Sequence, residues 1–166
     1  MSRYLHTVWC DDIRQEIGNK PSMMGMYSGS IVLPQLPLVL QRLSVFNWLN
    51  TPIDRPFRSP ITIRARLDNG TELLQMEMPP PQSLEAAPVP DATGYQLMLG
   101  FGLGPISLPA GCAYIVVEAE LDGETLVGPK LRVKVDKAYV DRMMPQSLVE
   151  VVQQVTSIDT QKKPGS

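Results

Sequence analysis

Histidine and cysteine are scarce in this chain, which limits the chemistry that it can carry. One histidine, His6, and two cysteines, Cys10 and Cys112, occur among 166 residues. Zinc centres need clustered histidine and cysteine ligands, so no metal or other cofactor is expected. His6 and Cys10 are separated by roughly 13 Å on a strand that rises about 3.3 Å per residue, so a thiolate–imidazole pair is not expected either.

Excess basic charge and long apolar runs are also lacking. The net charge of −2 and the isoelectric point near 5.4 argue against a nucleic-acid partner. No apolar run approaches the roughly 20 residues that span a bilayer, so no membrane partner is expected. The first residues, MSRYLHTVWCDD, lack the apolar core of a signal peptide. We therefore expect a cytoplasmic protein with reduced cysteines.

Proline and glycine, by contrast, are well represented, with 16 and 12 residues that separate short apolar segments. This spacing is typical of an all-β chain. About seven to nine short strands would suit an immunoglobulin-like β-sandwich, which we expect for residues 1–136. The regular strand–helix alternation of barrel and doubly wound α/β folds is missing.

Turn residues and alternating apolar residues predict the individual strands. One strand is expected from about Tyr4 to a hairpin tip at Gly18-Asn19-Lys20, and the next from Ser22 to Leu33. The segment LVLQRLSVFNWLN has partly helical spacing, but its aromatic and β-branched residues favour a strand from about Gln41. Further features are a hairpin at Asp68-Asn69-Gly70, a proline-rich loop over Pro79–Asp91, a glycine-containing strand (YQLMLGFGLGPISL) and a final hairpin at Asp122-Gly123.

The last thirty residues, 137–166, have a different character. The segment MPQSLVEVVQQV predicts a short amphipathic helix, and TSIDTQKKPGS predicts a disordered tail. The apolar face of this helix is a candidate partner-binding surface. Its residues are Leu148, Val151, Val152 and Val155.

A crowded polar segment, VWCDDIRQEIGNK, contains the candidate functional residues Asp11, Asp12, Arg14 and Glu16. On a strand, adjacent aspartates point to opposite faces, and the arginine would repel a cation from the carboxylates. The simplest interpretation is a solvated ladder of alternating charge on one face, with Ile13 and Ile17 on the other. A short helical turn capped by Asp12 is the alternative.

Asp11 does not fit this ladder, because alternation places its carboxylate on the apolar side of the strand. A buried carboxylate without partners would be costly. We therefore expect either a β-bulge at Cys10-Asp11 that redirects the side chain or hydrogen bonds to it from backbone amides or an arginine.

Several motifs resemble a family of small bacterial proteins classified as a domain of unknown function. They are CDDIRQEIGNKPSMMGMYSGSIVLPQLP, TPIDRPF, LDNG and LPAGCAYIVVEAELDGE, within Tyr4–Val135. The resemblance implies a β-sandwich and adds no catalytic residue. The positions that match the first motif are Asp12, Arg14, Glu16, Gly18, Lys20, Ser22, Gly25, Tyr27 and Gly29.

No assembled catalytic set is apparent, so a non-catalytic module for protein interaction or self-association is the leading hypothesis. It would bind through a sheet edge, its loops or the C-terminal helix. One alternative is a structural subunit of a phage or secretion-type assembly. Another is an enzyme or small-ligand protein that uses Asp11 or Asp12 with Arg14.

Overall fold

Short β-strands make up most of the described chain. The computed structural model describes residues 2–18, 20–81 and 91–143. One helix, α1 (Lys137–Met143), follows the last strand. The strands are β1 (Tyr4–Cys10), β2 (Asp12–Glu16), β3 (Lys20–Met24), β4 (Ser30–Leu33), β5 (Leu38–Leu40), β6 (Leu43–Pro52), β7 (Ile61–Leu67), β8 (Glu72–Met78), β9 (Gly94–Leu103), β10 (Ile106–Leu108), β11 (Tyr114–Leu121), β12 (Glu124–Val127) and β13 (Leu131–Val135).

Two larger sheets share one hydrophobic core. The first has the order β1-β6-β9, and the second has the order β4-β13-β11-β7-β8 with β12 also paired to β11. Every second residue of the central strands points inward, as the alternating sequence predicts. The mostly β class with a short C-terminal helix is therefore confirmed. Core residues from both sheets include Leu5, Trp9, Val45, Leu49, Ile63, Ala65, Leu67, Ile115, Val117 and Ala119.

Two small sheets complete the strand pairing. β5 pairs with β10, and β2 pairs with β3 as the predicted hairpin, in which Glu16 faces Lys20. β2 leaves the line of β1 at Asp11 and contacts β6 and β9. The β2–β3 hairpin therefore lies against the outer face of the three-stranded sheet.

Local turn signals predicted some boundaries and missed others. The hairpin at Asp68-Asn69-Gly70 is confirmed, with Gly70 at φ +86°. A continuous strand from Ser22 to Leu33 is wrong, because Gly25 and Gly29 adopt left-handed conformations between β3 and β4. Such interruptions explain why the described residues contain more strands than the seven to nine expected.

The C-terminal part differs from expectation in two ways. The chain that follows Asp122-Gly123 forms two strands, β12 and β13, rather than one returning strand. α1 begins at Lys137, where the Asp136 carboxylate accepts the Tyr139 N–H at 2.9 Å as an N-cap. The predicted helix residues Leu148, Val151, Val152 and Val155, the tail, and residues 82–90 of the proline-rich loop lie outside the described residues.

Candidate functional site

Asp11 lies in a bend between β1 and β2. Its N–H donates to the carbonyls of Met24 and Gly25 at 3.0 and 3.3 Å, and its exposed carboxylate accepts a hydrogen bond from the Tyr27 hydroxyl. Gly25 is at φ +64°, and a Cβ there would overlap the Asp11 carboxylate. The bend therefore directs Asp11 outward rather than to the apolar side, and a tyrosine sixteen residues away provides its side-chain partner.

Burial first, and the Asp11 carboxylate second, raise the pKa values of two groups beside Asp11. Burial raises the pKa of the Tyr27 hydroxyl, and the hydrogen bond to the negatively charged Asp11 carboxylate raises it further. Burial also raises the pKa of the Cys10 thiol, with smaller effects from Asp11 and Asp12. At neutral pH Tyr27 is thus a hydrogen-bond donor and Cys10 is a buried, unreactive thiol.

Asp12, Arg14 and Glu16 form the charged side of the β2–β3 hairpin. The Asp12 carboxylate accepts from Arg42 at 2.5 Å and from Arg14 at 3.4 Å, and both arginines are well exposed. Exposed pairs of this kind contribute little to stability. Ile13 packs inward as expected, but Ile17 is almost fully exposed because the hairpin tip extends beyond the sheet.

The candidate chemical groups of the sequence do not form one site. His6 lies beside Trp48 with ring centroids 5.5 Å apart, whereas Cys10 is fully buried four residues further along β1. In the described residues, no three histidine, cysteine or acidic side chains are grouped as metal ligands. Hydrogen bonds and ion pairs account for Asp11, Asp12 and Arg14, and Glu16 lies opposite Lys20 in the hairpin.

The outer face of the three-stranded sheet is rich in aromatic residues. His6, Trp48 and Met98 are direct neighbours across β1, β6 and β9, and the Phe46 ring lies 4.7 Å from that of Trp48. Met98 is 53% exposed. The large sheet differs, because its outer face carries cross-strand ion pairs such as Arg66–Glu118.

Glycines on β9 keep one side of this outer face flat. Gly100 lies directly opposite Phe46, and a Cβ at Gly100 would come 3.2 Å from the phenyl ring and 3.4 Å from Ile13. Open space surrounds the equivalent position at Gly102. The phenyl ring of Phe46 therefore packs against Gly100, and a shallow groove remains between Gly100 and Gly102 on one side and β2 on the other.

β9 forms one edge of the sheet, and its hydrogen-bonding groups can be assigned from the ladder. The Ile53 N–H donates to the Thr93 carbonyl at 3.3 Å, and Pro52, opposite Gly94, has no N–H to donate. Residues of an antiparallel pair alternate between bonding across the ladder and pointing away from it. The main-chain groups that point away from β6 define what we call the β9 edge, and they belong to Gly94, Gln96, Met98, Gly100 and Gly102.

The β9 edge is long and unprotected. β9 has ten residues with no charge and no proline, and it keeps continuous register with β6. In the described parts of the chain, no strand pairs with this edge. Proteins usually protect edge strands with charges, prolines, bulges or short length. The edge is therefore suited to pair with another strand.

The inner side of β9 is also incompletely covered. Tyr95, Leu97, Leu99 and Phe101 pack on the core but are only partly buried, whereas Val45 and Leu49 of the neighbouring β6 are fully buried. A strand placed beside β9 would cover these four side chains. The described residues therefore leave this part of the core only partly covered along the β9 edge.

Other edges of the sheets are protected. The Tyr27 N–H donates to the Trp9 carbonyl at 2.8 Å on the free side of β1. β8 carries Glu72 and Glu77, and its pairing with β7 has a register shift. β4 and β12 have four residues each. This contrast distinguishes β9 from the other edge strands.

A buried arginine was not anticipated from the sequence. The Arg3 side chain is 3% exposed and donates to Asp122 at 2.5 Å, to Glu124 at 3.3 Å and to Thr51 at 2.9 Å. It also donates to two main-chain carbonyls of the segment after β6. Because each of its three guanidinium nitrogens donates to an internal acceptor, Arg3 holds the N-terminus to the β11–β12 turn.

Comparisons with known proteins give no further information about this site. No family model, curated protein or solved structure matches the chain. Within the described residues, no helix is long and apolar enough to cross a membrane.

Proposed function

We propose that this chain is a non-catalytic protein-interaction module that binds its partner by β-strand addition at the β9 edge. The observation that carries this proposal is the ten-residue, uncharged edge strand, beside which the described residues leave the core only partly covered. In strand addition, main-chain hydrogen bonds provide affinity and alternate side chains provide specificity. On the outer face beside the edge, His6, Trp48 and Met98 offer contact area for such a partner, whereas Phe46 is buried.

The polar cluster gives less support for an enzyme or small-ligand protein. Asp11 is bonded to Tyr27, and Asp12 is bonded to Arg42 and Arg14. These side chains already have partners, and they lie on a solvated hairpin. The contacts of Asp11 and Asp12 within the domain therefore explain the cluster without a ligand.

The wider classification of the protein belongs to the same proposal. We propose an immunoglobulin-like β-sandwich, supported by two sheets that share one core. We also propose a cytoplasmic bacterial protein of the domain-of-unknown-function family that its motifs resemble. Support for these assignments comes from the sequence features described above.

Photo-cross-linking tests the proposed function. The photoreactive residue p-benzoylphenylalanine would replace Met98 in one variant and Val127 in a matched control, since these residues are 53% and 54% exposed on different sheets. We expect one defined polypeptide to cross-link from position 98 and not from 127. Its affinity for the purified chain should then fall with Met98→Pro, which removes an outward N–H. Equal cross-linking from both positions, or from neither, would contradict the proposal.

A further inference from the structure

We infer that the strand that pairs with the β9 edge is β9 of a second copy of this chain. The two strands would run antiparallel around a two-fold axis at Met98, which joins two three-stranded sheets into one six-stranded sheet. This inference rests on the proposed function, because it names the partner for the same edge.

The hydrogen-bonding residues of the β9 edge are symmetric about Met98. In an antiparallel pair centred there, Gly94 faces Gly102, Gln96 faces Gly100, and Met98 faces its own copy. All five outward residues of each strand then occupy bonded positions. Five pairs with two bonds each would give about ten main-chain hydrogen bonds. A two-fold axis at any other residue leaves some of these groups unpaired.

The side chains on both faces suit this register. On the outer face, Gln96 would lie opposite Gly100, and the two Met98 side chains would meet at the axis. On the inner face, Tyr95 would lie opposite Phe101 and Leu97 opposite Leu99. These inner side chains are only partly buried in one copy and would cover those of the other. No like charges face each other, because β9 carries none.

Symmetry favours a second copy over a strand from a different protein. A two-fold interface requires that one surface complement itself. β9 meets this requirement because its outward groups, its inner apolar residues and its terminal glycines are arranged evenly about Met98. A partner of another sequence would need no such symmetry in β9.

Charge exchange at position 98 tests the pairing and its register. We expect the wild-type chain to be dimeric by size-exclusion chromatography with light scattering. Met98→Lys and Met98→Glu should each weaken the dimer by at least about tenfold, because like charges would lie directly opposite each other at the axis. An equimolar mixture of the two variants should restore dimers, now as heterodimers. Val127→Lys, at a similarly exposed position on β12, should leave the dimer unchanged.

A second measurement does not depend on charge. In a Met98→Cys variant, a short bis-maleimide should link two copies, whereas Val127→Cys should give no such product. Cys10 and Cys112 are both buried, so the introduced thiol is the reactive one. Circular dichroism and thermal melting would verify that each variant is folded.

Several results would overturn the inference. They are a monomeric wild-type chain, a dimer that Met98→Lys leaves intact, or a mixture of charged variants that stays monomeric. A monomer that still cross-links to a different polypeptide from position 98 would refute self-pairing and leave the interaction-module proposal standing. A monomer without any cross-link at position 98 would refute both.

Discussion

Replacement of Arg3 by methionine should destabilise the fold through the loss of one buried cation. Removal of one member of a fully buried ion pair costs about 3–5 kcal/mol, because the remaining charge lacks a partner. Asp122 and Glu124 are 20% and 39% exposed, so water can partly solvate them after the substitution. The carbonyls of Arg55 and Pro56 would also lose a donor. We therefore expect a loss of about 2–3 kcal/mol in the free energy of unfolding.

Urea denaturation of the full chain measures this loss. In thermal unfolding of a chain of this size, the same loss of stability should lower the melting temperature by about 6 °C. Arg58→Met is the matched control, since Arg58 is exposed in the same segment after β6 whose carbonyls accept from Arg3. Its effect should remain within about 0.5 kcal/mol. An equally small effect of Arg3→Met, with an unchanged denaturant slope, would refute the reasoning about this arginine.

Two further predictions concern the large sheet and the Asp11 bend. The hydrogen bond from Arg66 lowers the pKa of Glu118 although burial opposes it, so this group contributes stability above its unfolded pKa of about 4.3. That stability should be lost as the pH falls through the folded pKa of Glu118. Urea midpoints measured at several acidic pH values should therefore depend less on pH in Glu118→Gln than in the wild-type chain. The same pH dependence in both would contradict a stabilising Arg66–Glu118 pair. Gly25→Ala should cost about 1–3 kcal/mol more than Gly29→Ala, because both require a left-handed backbone but only the first adds a Cβ that displaces Asp11. Equal thermal shifts of the two variants would show that the Asp11 contact is unimportant.

Features that depend on neighbouring residues could be predicted from the sequence. Asp68-Asn69-Gly70 and Asp122-Gly123 mark turns because their backbone preferences are local. Alternation along β7 and β11 likewise indicates which residues enter the core. The strand that contains Asp12, Arg14 and Glu16 was recognised for the same reason.

Features that depend on distant residues could not be predicted. Arg3 and Asp122 are 119 positions apart, and no local pattern connects them. Alternation also assigned Ile17 to an apolar face, but the β2–β3 hairpin extends past the sheet and leaves that residue in solvent. Asp11 was recognised as anomalous, yet its partner Tyr27 depends on how the chain returns at Gly25.

The edge position of β9 is the clearest example of this limit. Its sequence, GYQLMLGFGL, predicts a strand, and the absence of charge is visible in the residues themselves. Whether a strand is central or at an edge depends on the order of pairing in the sheet, which is a property of the whole fold. Only the structure shows that no other strand among the described residues pairs with the outer side of this uncharged strand.

Amide hydrogen exchange along β9, followed residue by residue by NMR, shows directly whether the β9 edge is paired. Amides of Tyr95, Leu97 and Leu99 bond to β6 and should be protected at any protein concentration. Amides of Gln96, Met98 and Gly100 point outward, so they should become protected only when the edge is paired. Protection of this second set should rise with protein concentration and disappear in Met98→Lys. Rapid exchange of these outward amides at every concentration, with or without the cross-linked partner, would contradict pairing of the β9 edge.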